Sequence, residues 1–230
     1  MSMKFINENP RILRAWIDGK KELMEEYLKD NPDSLFPAFE DEIRAMGIEF
    51  EIGEQIFNYM PGRKADIVPV ALKYYRLAKE LGKENEQEHF LQFFDYKGLD
   101  ELVPMLLEDY RSDNTSELTR WYISDCLYSI RAREHISEYL DIITRPSYGT
   151  NRQMIILLLG KLRSEAAIPA LLELLEDETV RTHTITALSE FKREDFRHHF
   201  ERFTSAEHPG WRKYSREAIE KLDKAKTPEQ

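Results

Sequence analysis

Residues 166–191 constrain the fold more than any other stretch of this chain. Leucine and isoleucine recur at three- and four-residue spacing between Ile168 and Leu175, which predicts a helix with one apolar face. A second helix, with apolar residues between Val180 and Phe191, follows a short acidic turn. Two such helices cannot bury both apolar faces by themselves, so this helical hairpin requires neighbouring hairpins.

The same pattern recurs along the C-terminal two thirds of the chain. An arginine stands seven residues before a leucine or isoleucine in four places, and successive arginines are 32, 29 and 31 residues apart: Arg120, Arg152, Arg181 and Arg212. A proline is expected near the start of three first helices: Pro69, Pro104 and Pro169. This spacing predicts five hairpins, at 64–97, 98–132, 133–163, 164–193 and 194–224. Because the arginines follow the repeat, we predict that their role is structural rather than catalytic.

The fourth hairpin resembles the HEAT-like repeat family, whose motif is matched by Asp177, Val180, Arg181, Ala187 and Leu188. The resemblance covers about 160 residues and implies an all-α fold, an α-α superhelix (solenoid) of about five hairpins. In that family the turn aspartate and the arginine of the second helix form a hydrogen-bonded ladder between adjacent repeats. Only Asp177 and Arg181 carry that pairing here, so we do not expect a continuous ladder.

Three segments are predicted from these patterns. Residues 1–62 fit the repeat poorly and are expected to form an N-terminal helical cap, since about 60 residues make a marginal independent core. The repeat array spans 63–224, and residues 225–230 form a disordered tail. Within the cap, a first helix is expected to end at Gly19, and a second, over 20–30, to turn Leu23 inward. The alternating apolar and acidic residues at 47–53 favour a short extended piece.

Composition limits the classes of partner. The formal net charge is −10, and residues 21–51 hold ten acidic and three basic side chains, which favours a basic protein or peptide partner. Nucleic acid is an unfavourable partner, because acidic residues interrupt the one basic-rich region, 192–216. No apolar run approaches the ~20 residues of a membrane span. The single Cys126 suits a reducing compartment, so we expect a cytoplasmic protein without a membrane association.

The candidate binding site lies on the predicted second helix of the second hairpin. Trp121, Asp125 and Tyr128 share the face opposite its core stripe, and exposed aromatic residues are typical of binding hot spots. The equivalent faces of neighbouring hairpins add three flanking residues: Gln92, Asp95 and Gln153. The competing interpretation is that Trp121 and Tyr128 pack beneath a neighbouring helix or the N-terminal cap.

The sequence therefore favours a non-catalytic scaffold or adaptor that binds a protein or peptide on the concave face of a repeat array. No catalytic residue, metal site or cofactor motif is predicted. The alternative is an enzyme that acts on nucleic acid. HEAT-like alkylpurine DNA glycosylases use a tryptophan and an aspartate four residues apart, as Trp121 and Asp125 are. The chain departs from that family because Arg120-Trp121-Tyr122 replaces its Trp-Trp-Asp run and a basic DNA-facing surface is missing from the pattern.

Overall fold

The computed structural model describes residues 10–226 of the chain. Within this range the prediction of an all-helical fold is confirmed, and no strand is found. Twelve α-helices are present: α1 (Pro10–Asp30), α2 (Phe36–Ala45), α3 (Met60–Glu80), α4 (Glu84–Leu91), α5 (Val103–Arg111), α6 (Glu117–Ile130), α7 (Ile136–Ile143), α8 (Gln153–Lys161), α9 (Ile168–Leu174), α10 (Arg181–Ser189), α11 (Arg197–Glu201) and α12 (Pro209–Lys226).

The chain divides into two compact units, with the boundary between Phe94 and Asp95. We call them the N-terminal unit and the C-terminal unit. The predicted boundary at 62/63 falls within the N-terminal unit, inside α3. Residues 1–9 of the predicted cap lie outside the described range. Of the predicted tail at 225–230, residues 225 and 226 belong to α12, and the rest lie outside that range.

The N-terminal unit corrects three expectations, which concern Gly19, Leu23 and Pro69. Helix α1 continues through Gly19, where the sequence predicted an end. The side chain of Leu23 is 62% exposed instead of facing inward. Residues 47–53 do not pair as a strand within the described chain, but the backbone is extended at Ile52, just before the 3-10 turn that begins at Gly53. Pro69 also lies in the interior of α3 rather than near a helix start.

Aromatic rings form the core of the N-terminal unit. Helix α2 packs on α3, and α3 packs on α4. The Phe39 ring lies 5.1 Å from that of Phe90 and 5.2 Å from that of Phe93, in edge-to-face contacts. His89 joins this cluster, and its burial there lowers its pKa to about 4, so the imidazole is neutral. The buried Glu86 carboxylate accepts hydrogen bonds from the Leu35 amide and the Tyr27 hydroxyl.

The C-terminal unit repeats one backbone pattern four times. Each repeat has a residue in the left-handed region, then a 3-10 turn two residues later, then two consecutive helices that pack on each other. The left-handed residues are Gly98, Arg131, Arg163 and Lys192. The 3-10 turns are Asp100–Leu102, Arg133–His135, Glu165–Ala167 and Glu194–Phe196. The helical pairs are α5/α6, α7/α8, α9/α10 and α11/α12, and each first helix packs on its own second helix.

The second helices of consecutive pairs pack directly on one another: α6 on α8, α8 on α10, and α10 on α12. The closest approach is between Gly160 on α8 and Ala187 on α10. A Cβ atom at Gly160 would lie 2.5 Å from the Ala187 Cα. Only a glycine permits this contact, which explains why an otherwise helix-weakening residue stands in α8.

The four periodic arginines cap the first helix of their own pair. Three of the guanidinium groups donate to backbone carbonyls at or just after the end of that helix, where helical partners are lacking, and Arg212 donates to carbonyls in the loop that follows α11. The acceptors are Tyr110 and Ser112 for Arg120, Ile143 for Arg152, Leu175 and Glu176 for Arg181, and Ala206 and Glu207 for Arg212. One side-chain position therefore closes every hairpin of this unit in the same way.

Three of these arginines also contact the next pair, through different chemistry. The Asp177 carboxylate accepts a 2.6 Å hydrogen bond from Arg152, the arginine of the preceding pair, whereas Arg181 is directed at the carbonyls that follow α9. The other two contacts are cation–π: Arg120 lies 5.8 Å from the Tyr148 ring centroid, and Arg181 lies 4.1 Å from that of Trp211. At these two arginines an aromatic ring of the next pair thus makes the contact for which the HEAT-like motif uses an aspartate.

Candidate functional site

The predicted site residues of α6 lie on a helix that is fixed at both ends. The Ser116 hydroxyl accepts a 3.1 Å hydrogen bond from the Thr119 amide and caps the N-terminus. At the C-terminus, Arg131 adopts the left-handed conformation and its amide donates to the Leu127 carbonyl. The opposite face of α6 is buried through four side chains: Ile123, Cys126, Leu127 and Ile130. This burial leaves α6 as a rigid platform for the face that carries Trp121.

Trp121 is 44% exposed, so it does not pack beneath another element as the competing interpretation required. Asp125 and Tyr128 are half-buried, one and two turns further along the helix. The Trp121 ring meets the Tyr122 ring edge-on at 5.2 Å. The Tyr128 ring already has a cation beside it, the Arg131 guanidinium at 5.6 Å. Within the described part of the chain, the face of Trp121 has no such cation.

Two carboxylates belong to this region, Asp125 on the Trp121 face of α6 and Asp95 within hydrogen-bond reach of Ser129, and both have raised pKa values. Burial raises the pKa of Asp125, and the negative charge of Asp95 raises it further. Burial also raises the pKa of Asp95, although a hydrogen bond from the Ser129 hydroxyl partly offsets the effect. Among the residues that the structure describes, no lysine, arginine or histidine forms an ion pair with either carboxylate. The α6 face therefore carries an exposed indole and, one turn further along the helix, a carboxylate that no cation of the described residues pairs with.

The two flanking glutamines have different surroundings. Gln92 is exposed and belongs to the N-terminal unit, in the 3-10 turn Gln92–Phe94. Gln153 opens α8, and its side-chain amide donates a 2.8 Å hydrogen bond to the Thr179 carbonyl. This bond ties α8 to the turn before α10, so the Gln153 amide is engaged within the fold. Ser129, which sequence reasoning did not place in the site, contributes more directly than Gln153 because it holds Asp95.

Several kinds of chemistry find no support in this part of the chain. The described residues contain no group of three or more histidine, cysteine, aspartate or glutamate side chains that could hold a metal ion. Cys126 is fully buried, and burial together with the charges of Asp95 and Asp125 raises the pKa of its thiol well above the ordinary value. A neutral buried thiol is a poor nucleophile. No helix among the described residues is long and apolar enough to cross a membrane.

The basic-rich region 192–216 is internally compensated. Three of its arginines form ion pairs with carboxylates, and two others donate to backbone carbonyls: Arg193, Arg197 and Arg202 in the first group, Arg212 and Arg216 in the second. Guanidinium groups engaged in this way are not arranged to follow a phosphate backbone. This surface therefore has the character of a solvated, mixed-charge face.

The α6 face combines an exposed tryptophan with Asp125, whose pKa the nearby Asp95 raises. A positively charged group is the chemical species that would satisfy both features. Comparisons of the chain with protein families, with characterised proteins and with solved structures found no match.

Proposed function

We propose that this protein is a non-catalytic scaffold or adaptor whose C-terminal unit binds a lysine or arginine side chain of a protein partner. The α6 face formed by Trp121, Asp125 and Asp95 is the proposed contact. One observation carries the proposal: Asp125 lies within electrostatic reach of Asp95, which raises the pKa of Asp125, and no cation of the described chain forms an ion pair with either carboxylate. We also propose a cytoplasmic location, supported by the single cysteine.

A basic side chain would relieve this cost in two ways. Its charge would interact favourably with the exposed Asp95 and with the half-buried Asp125, around which screening by water is weaker than at an open surface. Its alkyl stem or guanidinium plane would cover the exposed Trp121 ring, which adds a cation–π contact. Neither contribution requires a conformational change in α6, because the helix is capped at both ends.

We further propose that the four helical pairs of the C-terminal unit form a HEAT-like superhelical array, with the α6 face on its concave side. The recurring left-handed residue, the 3-10 turn and the arginine that closes each pair support this proposal. Repeat arrays of this kind present extended binding surfaces along their second helices. The same architecture serves unrelated functions, so the function rests on the α6 face rather than on the array.

The proposal is tested by affinity capture from a cell extract with the wild-type chain and the Trp121→Ala/Asp125→Ala variant as baits. A matched control is Leu81→Ala, which removes a leucine that is 55% exposed in the N-terminal unit. We expect at least one protein to bind the wild type and the control but not the double variant. With the purified partner, Trp121→Ala should cost about 2 kcal/mol or more of binding free energy.

Recovery of identical proteins by the wild type and the double variant would remove the α6 face from the function. Salt-sensitive retention of nucleic acid that depends on Trp121 and Asp125 would instead favour the enzymatic alternative suggested by their four-residue spacing. That alternative has less support, because the arginines of region 192–216 are occupied.

A further inference from the structure

The N-terminal unit contains an open pocket that the sequence did not predict. It has a volume of about 370 Å³ and lies between α1, α2 and the segment 51–54. Its apolar lining comes from Leu23 and Met24 on α1, Phe36 on α2 and Ile52. This volume is near the lower end of the range that ligand sites in proteins occupy, roughly 300–1,000 Å³.

The pocket has a fixed inner wall and an unpartnered outer edge. The Tyr27 ring lies 5.7 Å from the Phe36 ring, and its hydroxyl donates to the buried Glu86. One turn earlier in α1, Leu23 is 62% exposed, the most exposed of the large apolar side chains described. In the free protein this leucine keeps apolar surface in contact with water, which is unfavourable. A bound partner would remove that surface from water.

The charges around the pocket are unevenly compensated. Its two lysines are neutralised by its own glutamates: Lys20 lies 2.7 Å from Glu54, and Lys21 lies 2.9 Å from Glu51. Three exposed glutamates lie within three residues of Leu23 in α1, and none forms an ion pair with a described residue: Glu22, Glu25 and Glu26. Of these, Glu25 lines the pocket itself. The outer edge of the pocket thus combines an exposed leucine with a carboxylate that has no cation partner among the described residues.

We infer that this pocket binds a basic amphipathic helix of another protein, which inserts an apolar side chain next to Leu23 and places lysine or arginine against Glu22, Glu25 and Glu26. An amphipathic helix in an apolar groove is a common mode of peptide recognition, in which the apolar residues anchor and the flanking charges select the partner. The carboxylates exclude an anionic lipid surface, which attracts basic segments and repels acidic ones. This site is independent of the α6 face.

The inference is tested by fluorescence anisotropy with the full chain and a labelled synthetic helical peptide that has leucine on one face and lysine on the other. The Leu23→Ala/Glu25→Gln variant should bind this peptide about ten-fold more weakly or worse than the wild type. The matched control, Leu81→Ala/Glu80→Gln, removes an exposed leucine and a neighbouring glutamate of α3 and should bind as the wild type does. Circular dichroism verifies that each variant is folded.

Two further arms separate this site from the α6 face and from other occupants. The Trp121→Ala/Asp125→Ala variant should retain the peptide, and loss of binding in that variant alone would overturn the inference. Equal weakening by the control pair would also overturn it, since the binding would then be unspecific. So would a Leu23-dependent dimer in sedimentation, or peptide binding that tightens on removal of residues 2–9, because a second copy or the chain's own N-terminal segment would then be the occupant.

Discussion

Arg152 stabilises both its own hairpin and the contact between that hairpin and the next one. Its side chain is 2% exposed and donates to the Gly149 and Ile143 carbonyls and to the Asp177 carboxylate. Burial raises the pKa of Asp177, but hydrogen bonds from Thr179 and Arg152 outweigh this effect and lower the pKa overall. The bonds to backbone close one hairpin, and the bond to Asp177 joins it to the next.

Arg152→Ala should therefore destabilise the protein by about 3 kcal/mol, because it leaves buried acceptors and a carboxylate without their donor. Arg152→Lys should recover little of this loss, since a single ammonium cannot match the fork of a guanidinium. Urea denaturation measures the free energy of unfolding of the two variants. Arg145→Ala is the control: its ion pair with Asp141 is exposed and screened by water, so the change should cost far less stability than Arg152→Ala. Equal effects at positions 145 and 152 would contradict the role of Arg152.

Asp125→Asn should stabilise the protein at neutral pH while it weakens partner binding. The folded-state pKa of Asp125 is raised, so stability in the wild type falls as pH rises from the ordinary aspartate range, about 3.9, through that raised value. The amide carries no such penalty. We expect a higher urea midpoint at pH 7 and no difference from the wild type below the ordinary range. An equal gain from Asp113→Asn, in the loop before α6, would show that the effect is not specific to the site.

At the scale of single elements, two glycines in helices show how tertiary contacts override local preference. Helix α1 continues through Gly19, and nothing lies within 4 Å of where its Cβ would be. Glycine is a poor helix former, so the residues around Gly19, rather than Gly19 itself, keep α1 helical at this position. Gly160 is also helical, but it is required by the close approach of α8 to Ala187.

The two glycines should respond oppositely to the same change. Gly19→Ala should stabilise the protein by roughly 0.5–1 kcal/mol, because alanine reduces the entropy lost on helix formation. Gly160→Ala should destabilise it by about 2 kcal/mol, because the added methyl group meets the backbone of α10 and forces the helices apart. Thermal and urea unfolding of the two variants measure the difference. Stabilisation by Gly160→Ala would show that α8 and α10 are not in the contact described.

At the scale of the whole molecule, the charge distribution gives both compact units the same preference. The chain carries a net charge of −10, and residues 21–51 hold ten acidic and three basic side chains. Among the described residues, no cation pairs with Asp95 or Asp125 at the α6 face, and none pairs with Glu25, which lines the pocket of the N-terminal unit. Both proposed surfaces therefore select a basic partner, although they differ in their apolar contact.

Association with a basic partner should depend on salt mainly through its rate. Raising sodium chloride from about 50 mM to about 500 mM shortens the Debye length several-fold and screens long-range attraction. The association rate of the leucine–lysine peptide should therefore fall clearly, and its dissociation rate should change little. Stopped-flow fluorescence measures both rates. A salt effect confined to dissociation would indicate that charge acts only after contact.

The sequence by itself determined the all-helical fold, the spacing of the pairs and the position of the arginines that close them. These features are local: apolar periodicity, proline at the starts of α5 and α9, and acidic composition act within a few turns of chain. It also placed Trp121, Asp125 and Tyr128 on one helical face, because that follows from helix geometry alone.

Only the tertiary structure decided which elements meet. It paired Arg152 with Asp177, brought Asp95 within electrostatic reach of Asp125, and left Leu23 exposed at a pocket where the pattern predicted burial. It also kept α1 continuous and left 47–53 without a strand. Residues distant in the chain set each of these outcomes, since burial, charge coupling and strand pairing depend on what packs against a segment rather than on the segment's own sequence.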